Sequence, residues 1–184
     1  MINNEFIEKV LVSEEDIEKA LTKIADKINA DFKDEEVVFV TILNGAFMFA
    51  SDLMKKINLN CYIDFMQCST YGNKAVSSGN FVVKKDITID VNDKNVIVIE
   101  DILDSGYTMK NLLNYLKLKN PKSIKIATFI DKPARRAENV SADYVGVVMD
   151  DDSFIVGYGL DYAQKYRNLP YIGILKKEVY SSED

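Results

Sequence analysis

The stretch Val96-Ile97-Val98-Ile99-Glu100-Asp101-Ile102-Leu103-Asp104-Ser105-Gly106-Tyr107-Thr108 constrains the fold more than any other part of the chain. It begins as an unbroken apolar run, the pattern of a strand buried on both faces of a parallel sheet. Two adjacent carboxylates end the run, then a third acid, a hydroxyl residue, a glycine and a threonine follow. Behind them Met109 to Leu118 reads as a helix, with Leu112, Leu113 and Leu116 on one face. A strand, a tight turn and a helix N-terminus in succession make an anion site, because free backbone N–H groups and the helix dipole both point at the turn. Ser105 and Thr108 add hydroxyl donors. The acids do not suit a phosphate, but they suit sugar hydroxyls and Mg²⁺. Such a loop fits a ligand that carries a phosphate, a ribose and a metal together.

The remaining pattern alternates strands and helices, which implies an α/β parallel sheet. Ser13 reads as an N-cap, with Glu14, Glu15 and Asp16 in the first turn and Ile17, Ala20, Leu21, Ile24 and Ile28 at helical spacing. Val37 to Leu43 reads as a buried strand that Asn44-Gly45 breaks, and Ala46 to Ile57 as a helix. Cys61 to Ser69 is a further strand. Thr70 to Asn80 is polar, with two glycines, and reads as a mobile loop. Phe81 to Val91 suggests a short strand pair. Ile124 to Ile130, Tyr144 to Val148, Phe154 to Val156 and Tyr171 to Leu175 complete the strands, with an acidic turn at Asp150-Asp151-Asp152. In open α/β sheets ligands bind at the strands' carboxyl ends, where the acids, Asn44-Gly45 and Lys132 all fall.

Composition removes whole classes of function. The 184 residues suit one domain. No apolar run approaches the length that spans a bilayer, and the first residues lack the pattern of a signal peptide, so a cytoplasmic protein is expected. Lys and Arg number 23 against 29 Asp and Glu, a net charge of −6, which argues against a broad nucleic-acid surface. There is no histidine, so Ser-His-Asp and Cys-His catalysis and His-ligated metals are excluded. A proton carrier must come from Asp, Glu, Lys, Tyr or Cys. Cys61 and Cys68 lie seven residues apart in one strand and face opposite sides, so they read as buried free thiols.

Individual residues read two ways. Asp104 could accept a proton from a substrate nitrogen, or it could cap the following helix. Asn44-Gly45 could bring backbone N–H groups close to an anion, or be a plain strand-to-helix turn. Lys132 could donate to a carbonyl oxygen, or be a solvated lysine before a proline. Phe154 to Tyr162 is apolar and aromatic and contains Asp161, which suits a flat heterocycle beside a metal, or an edge strand with a terminal cap. Arg167 could meet an anion bidentately, or lie on the surface.

The 96–108 segment resembles the phosphoribosyl-pyrophosphate (PRPP) signature of the type I phosphoribosyltransferases. With Leu43-Asn44-Gly45, Ser69-Thr70-Tyr71-Gly72, Asp131-Lys132-Pro133 and Phe154 to Arg167, in that order, the chain from about residue 5 to 178 is similar to the hypoxanthine(-guanine) branch of that family. Val156-Gly157-Tyr158-Gly159-Leu160-Asp161-Tyr162 is specific to the 6-oxopurine enzymes. The resemblance implies a type I phosphoribosyltransferase fold in one domain. A central parallel sheet would be flanked by helices, under a small hood from about 1–12 and 150–180.

The resemblance also implies an activity: Mg²⁺-dependent transfer of phosphoribose from PRPP to hypoxanthine or guanine, giving IMP or GMP and pyrophosphate, in a homodimer or homotetramer. Glu100 and Asp101 would hold the ribose hydroxyls and the Mg²⁺ of Mg-PRPP, and Asp161 would bind a second Mg²⁺. Asp104, Ser105, Gly106, Tyr107 and Thr108 would surround the 5′-phosphate, with Asp104 also serving the purine N7 proton. Lys132 would donate to O6, Phe154 would stack on the ring, and Ile155 and Leu160 would lie at its edge. Asn44, Gly45 (often through a cis peptide) and Arg167 would face pyrophosphate. Thr70 and Tyr71 would sit on a closing loop. Asn44 and Tyr107 depart from relatives that carry a basic residue there, which leaves backbone contacts in those places. Two other classes compete. A phosphorelay receiver would separate its acids and lysine by most of a domain, whereas only about thirty residues separate Asp101 from Lys132. A non-catalytic PRPP-sensing regulator on the same fold would need a basic surface that this acidic chain lacks.

Overall fold

Helix α1 (Glu14–Asp31) starts where its cap chemistry dictates. Ser13 Oγ accepts from Asp16 N at 3.2 Å, and the Asp16 carboxylate accepts from Ser13 N at 3.3 Å. This reciprocal box satisfies two otherwise orphan donors. Ile17, Ala20, Leu21, Ile24, Ala25 and Ile28 then repeat along one buried stripe. The computed structural model describes residues 4–71 and 80–181.

Six strands form the main sheet: β2 (Val37–Ile42), β3 (Cys61–Tyr71), β4 (Asn80–Lys85), β5 (Asn95–Leu103), β6 (Ser123–Asp131) and β7 (Tyr144–Val148). Their order is β4-β3-β2-β5-β6-β7. Every pairing is parallel except that of β4 with β3. β2 and the first half of β5 are buried on both faces, as their unbroken apolar runs demand. Helices α1 and α2 (Phe47–Met54) cover one face, packing on Val37, Phe39, Ile97, Ile99, Ala127 and Phe129. Helix α3 (Tyr107–Lys117) covers the other, with Met109, Leu112 and Leu116 against Val38, Val40, Val96 and Val98.

A second, antiparallel sheet is built from both ends of the chain. Its order is β1 (Ile7–Val12), β9 (Ile172–Leu175), β8 (Ile155–Val156). Helix α4 (Lys177–Tyr180) follows β9. No described helix is long and apolar enough to cross a membrane.

Several sequence expectations shift. Helix α2 is shorter than 46–57 at both ends. Residues 81–91 do not pair with each other: β4 pairs with β3, and the chain from Asp86 to Lys94 is irregular. Asp64 accounts for that irregular course. Its carboxylate accepts from Thr88 N at 2.5 Å and Ile89 N at 2.9 Å, which pins the segment to β3. Of the loop expected at 70–80, Thr70 and Tyr71 belong to β3 and Asn80 to β4, and residues 72–79 lie outside the described residues. Cys61 and Cys68 do face opposite cores, but both are half-buried rather than buried.

Candidate active site

β2 and β5 run side by side only as far as Thr41 and Ile99. There β2 ends and its chain turns away. Glu100 and Asp101, the next residues of β5, keep β6 as a neighbour but have no ladder partner on β2. The β2–β5 ladder thus stops at the carboxyl edge, where α/β sheets hold ligands. Burial, and then the adjacent Asp101, push Glu100 well above the usual carboxyl range. Burial raises Asp101 too, while hydrogen bonds with Glu100 and with the Ile102 and Asp101 backbone, and last the Arg167 cation, pull it part of the way back. Two adjacent acids withdrawn from water favour a cation between them or a bound proton.

The turn after β2 packs directly against Asp101. The Leu43–Asn44 peptide is cis. Leu43 N donates to Met66 O at 2.8 Å, and Phe47 N donates to Asn44 O at 3.3 Å. Asn44 itself is exposed. A β-carbon on Gly45 would fall on Asp101 Oδ2, and a β-carbon on Gly159 would fall on the Gly45 carbonyl oxygen. Gly159 also has φ of 99°, the left-handed region that glycine accepts without strain. Its carbonyl accepts from Arg167 Nη1 at 2.7 Å, and its N–H donates to Arg167 O at 2.9 Å. Arg167 Nη2 pairs with Asp161 at 2.8 Å, and Asp161 Oδ2 accepts from Gln164 N at 2.8 Å. Asp101, Gly45, Gly159, Arg167 and Asp161 thus form one continuous stack from the main sheet to the segment between β8 and β9. Arg167 is not a lone surface arginine.

Gly106, with φ of 86°, occupies the cap position of α3, and no side chain caps the helix. Asp104 is therefore not the cap. Its Oδ1 instead forms an ion pair with Arg135 Nε at 2.7 Å, and Arg135 Nη1 reaches Asp152 Oδ1 at 3.2 Å. Ser105 O accepts from Ala137 N at 2.9 Å and Glu138 N at 3.2 Å. Lys110 Nζ pairs with Glu138 at 2.6 Å, and Arg136 pairs with Asp131. The segment after β6 thereby braces the glycine turn. Sequence reasoning missed Arg135 and Arg136. The only available signal was two adjacent arginines just beyond Lys132-Pro133, and exposed arginines are common.

Lys132 is 4% exposed, so it is not the solvated lysine that its sequence context allows. Its Nζ donates to Ser153 O at 2.9 Å, and its N–H donates to Leu103 O at 3.0 Å. Lys132 and Arg135, three residues apart on one turn, both reach the 152–153 segment. Phe154 follows directly and is 37% exposed. Ile155 is buried in β8, and buried Leu160 closes a tight turn with Gly157 through bonds of 3.0 and 3.1 Å. Tyr107 and Thr108 open α3. The backbone of Thr70 and Tyr71 pairs with Phe81 and Asn80.

Among the described residues no three acidic or thiol side chains converge into a metal cage. The Glu100–Asp101 pair supplies hard oxygen donors but an incomplete set. That fits Mg²⁺, which is commonly held by one or two carboxylates while substrate phosphates and water supply the rest.

A phosphoribosyl transferase domain model matches residues 10–163. The hypoxanthine-guanine phosphoribosyltransferase of Bacillus subtilis is 45% identical over 176 residues, covering 96% of this chain and 97% of that one. The bifunctional TilS/HprT protein of Listeria innocua is also 45% identical, over 95% of this chain, and the chain spans 27% of its length. A crystal structure of a hypoxanthine phosphoribosyltransferase from Staphylococcus aureus superposes with a TM-score of 0.93 at 41% identity, covering 98% of this chain and 99% of that one. The fold and these likenesses agree, and the chain belongs to the phosphoribosyltransferase family, in its hypoxanthine-guanine branch.

Proposed function

We propose that the chain transfers the phosphoribosyl group of PRPP to N9 of hypoxanthine or guanine, releasing pyrophosphate and giving IMP or GMP. One observation carries the reading. The half-buried acid pair, the glycine turn at the start of α3 and the buried Lys132 converge at one sheet edge, so ribose, phosphate and base can be bound at once.

In this reading Glu100 and Asp101 bind the ribose hydroxyls. Backbone N–H groups from Ser105 to Thr108, with the two hydroxyls, take the 5′-phosphate. The turn at Asn44-Gly45 offers backbone to the pyrophosphate, and Arg167 offers a cation. Lys132, a donor without acceptor capacity, pairs with O6. Phe154 stacks on the purine, between the backbone of Ile155 and that of Leu160. Asp104 takes the N7 proton as the new bond forms, exchanging its pairing with Arg135 for the purine N–H. Thr70 and Tyr71 lie at the base of the segment that would exclude water from the oxocarbenium-like centre. Mg²⁺ held by Glu100 and Asp101 with substrate oxygens, and a second Mg²⁺ held by Asp161, would neutralise charge on the leaving pyrophosphate. The same reading makes the working enzyme a homodimer or homotetramer, which native mass spectrometry tests.

The direct experiment is a steady-state assay with PRPP, Mg²⁺ and each of hypoxanthine, guanine, xanthine, adenine and uracil. Turnover of hypoxanthine, lost on chelation and restored by Mg²⁺, is expected. PRPP binding without turnover of any 6-oxopurine would overturn the proposal in favour of a PRPP-sensing regulator.

A further inference from the structure

We propose that Tyr180, on the short helix that follows the last strand, is a positioning residue for the purine and acts through Phe154. The inference rests on the reading that Phe154 stacks on the base.

The Phe154 ring has two faces. Tyr180 covers one of them, with centroids 5.0 Å apart and planes 25° from parallel. Tyr162 meets Phe154 edge-on, at 5.7 Å and 88°. Tyr162 and Tyr180 also touch, at 6.5 Å and 64°. Three rings therefore hold one another, and Phe154 keeps 37% of its surface exposed.

Tyr180 is itself fixed from behind. It packs on Val156, Leu169 and Leu175, the small core of the hood. Its helix is tied to the N-terminal segment by Lys176 N donating to Phe6 O at 3.0 Å. Ser153, one residue before Phe154, accepts from Lys132 Nζ. Phe154 is thus held by Tyr180 on one face and joined to the buried lysine by its backbone, and it still presents part of its surface to solvent.

A half-exposed phenylalanine without backing samples several orientations, and a stacking ligand must freeze it. A ring already stacked on one face meets the ligand with that cost removed, the general advantage of preorganisation. The effect belongs to base binding. The glycine turn and the acid pair that bind PRPP in this reading are built from other elements, β5 and α3.

The test compares Tyr180→Ala, Tyr180→Leu and Tyr180→Phe with the parent, alone and in a Phe154→Leu background. KM for hypoxanthine is measured by steady-state kinetics, and Mg-PRPP affinity is measured separately by calorimetry. Tyr180→Ala should raise the hypoxanthine KM by about tenfold, the scale of a lost aromatic pair. Mg-PRPP affinity should stay within about twofold of the parent. Tyr180→Leu keeps the apolar volume without a flat ring and should behave like Ala, which separates stacking from loss of core packing. Tyr180→Phe should behave like the parent. In the Phe154→Leu background Tyr180→Ala should add nothing, because coupled residues are not additive.

Equal losses for hypoxanthine and PRPP would overturn the proposal, as would an undiminished effect in the Phe154→Leu background. A lowered KM for Tyr180→Ala would also overturn it, since the tyrosine would then stand in the base's place. If Phe154→Leu raises KM while Tyr180→Ala does not, the Tyr180 link alone fails. If Phe154→Leu leaves KM at the parental value, the stacking role of Phe154 fails and takes this proposal with it.

Discussion

Asp101 Oδ2 stands where a β-carbon of Gly45 would be, so the turn after β2 and the acid at the end of β5 are interlocked. Gly45→Ala must move one of them. Loss of kcat/KM by roughly 10²-fold is expected, the usual consequence of displacing a reacting geometry by about an ångström. The variant should stay folded, since Gly45 lies at the site's edge and the core beneath is apolar. Steady-state kinetics with circular dichroism checks this, and unchanged kcat/KM would mean that Asp101 needs no fixed position.

Asp104→Asn keeps the size of the side chain but removes the proton acceptor and the ion pair with Arg135. Under the proposed role kcat should fall by roughly 10²–10⁴-fold, the range for general acid–base catalysis. Mg-PRPP affinity should change little. Arg135→Gln, which removes only the partner, should cost far less. A near-parental kcat for Asp104→Asn would leave that residue as Arg135's partner and nothing more.

Lys132 decides the choice of base in the proposed reading. Hypoxanthine and guanine present an acceptor at O6, whereas adenine presents an amino donor that an ammonium cannot accept from. A buried polar partner rejects a mismatched analogue strongly, because it is left unpaired. Adenine should not be turned over by the parent. Lys132→Met should lower kcat/KM for hypoxanthine by at least about 10²-fold, with Mg-PRPP affinity preserved. A variant that keeps the parental preference would remove Lys132 from O6 recognition.

Stability should depend on pH through Asp64, away from the site. Burial would raise this carboxyl, but bonds from Ile89 N, Thr88 N, Phe65 N and the Thr88 hydroxyl outweigh it and hold its pKa at about 2. A pKa depressed in the folded state stabilises above the unfolded value near 4, and that contribution is lost as pH falls through 4 towards 2. The contribution is about 2 kcal/mol. Urea unfolding at pH 7 should find Asp64→Asn less stable by about that amount, with the gap narrowing at pH 3. A gap that does not depend on pH would show that shape rather than charge matters at Asp64.

The sequence by itself determined what depends on neighbours along the chain. The apolar run of β5, the glycine turn and the stripe of α3 are contiguous, so strand, anion-binding turn and helix could be read together. The cap of α1 was legible because Ser13 and Asp16 are one helical turn apart. The motif positions at Asn44-Gly45, Lys132 and Phe154 to Asp161 were legible as motifs, with two readings each. The tertiary structure decided the burial and pairing of those residues, because both depend on residues far away in sequence. Lys132 is buried because the chain returns twenty-one residues later to offer the Ser153 carbonyl. Asp104 meets Arg135 rather than capping α3 because the segment after β6 folds back across the turn. Gly159 touches Gly45 only because β8 and β9 pair with β1 in a second sheet made from opposite ends of the chain. Alternation along a strand says which residues face inward, but not which strand lies alongside or in which direction. That is why the antiparallel β4 and the Tyr180–Phe154 stack were invisible until the elements were packed.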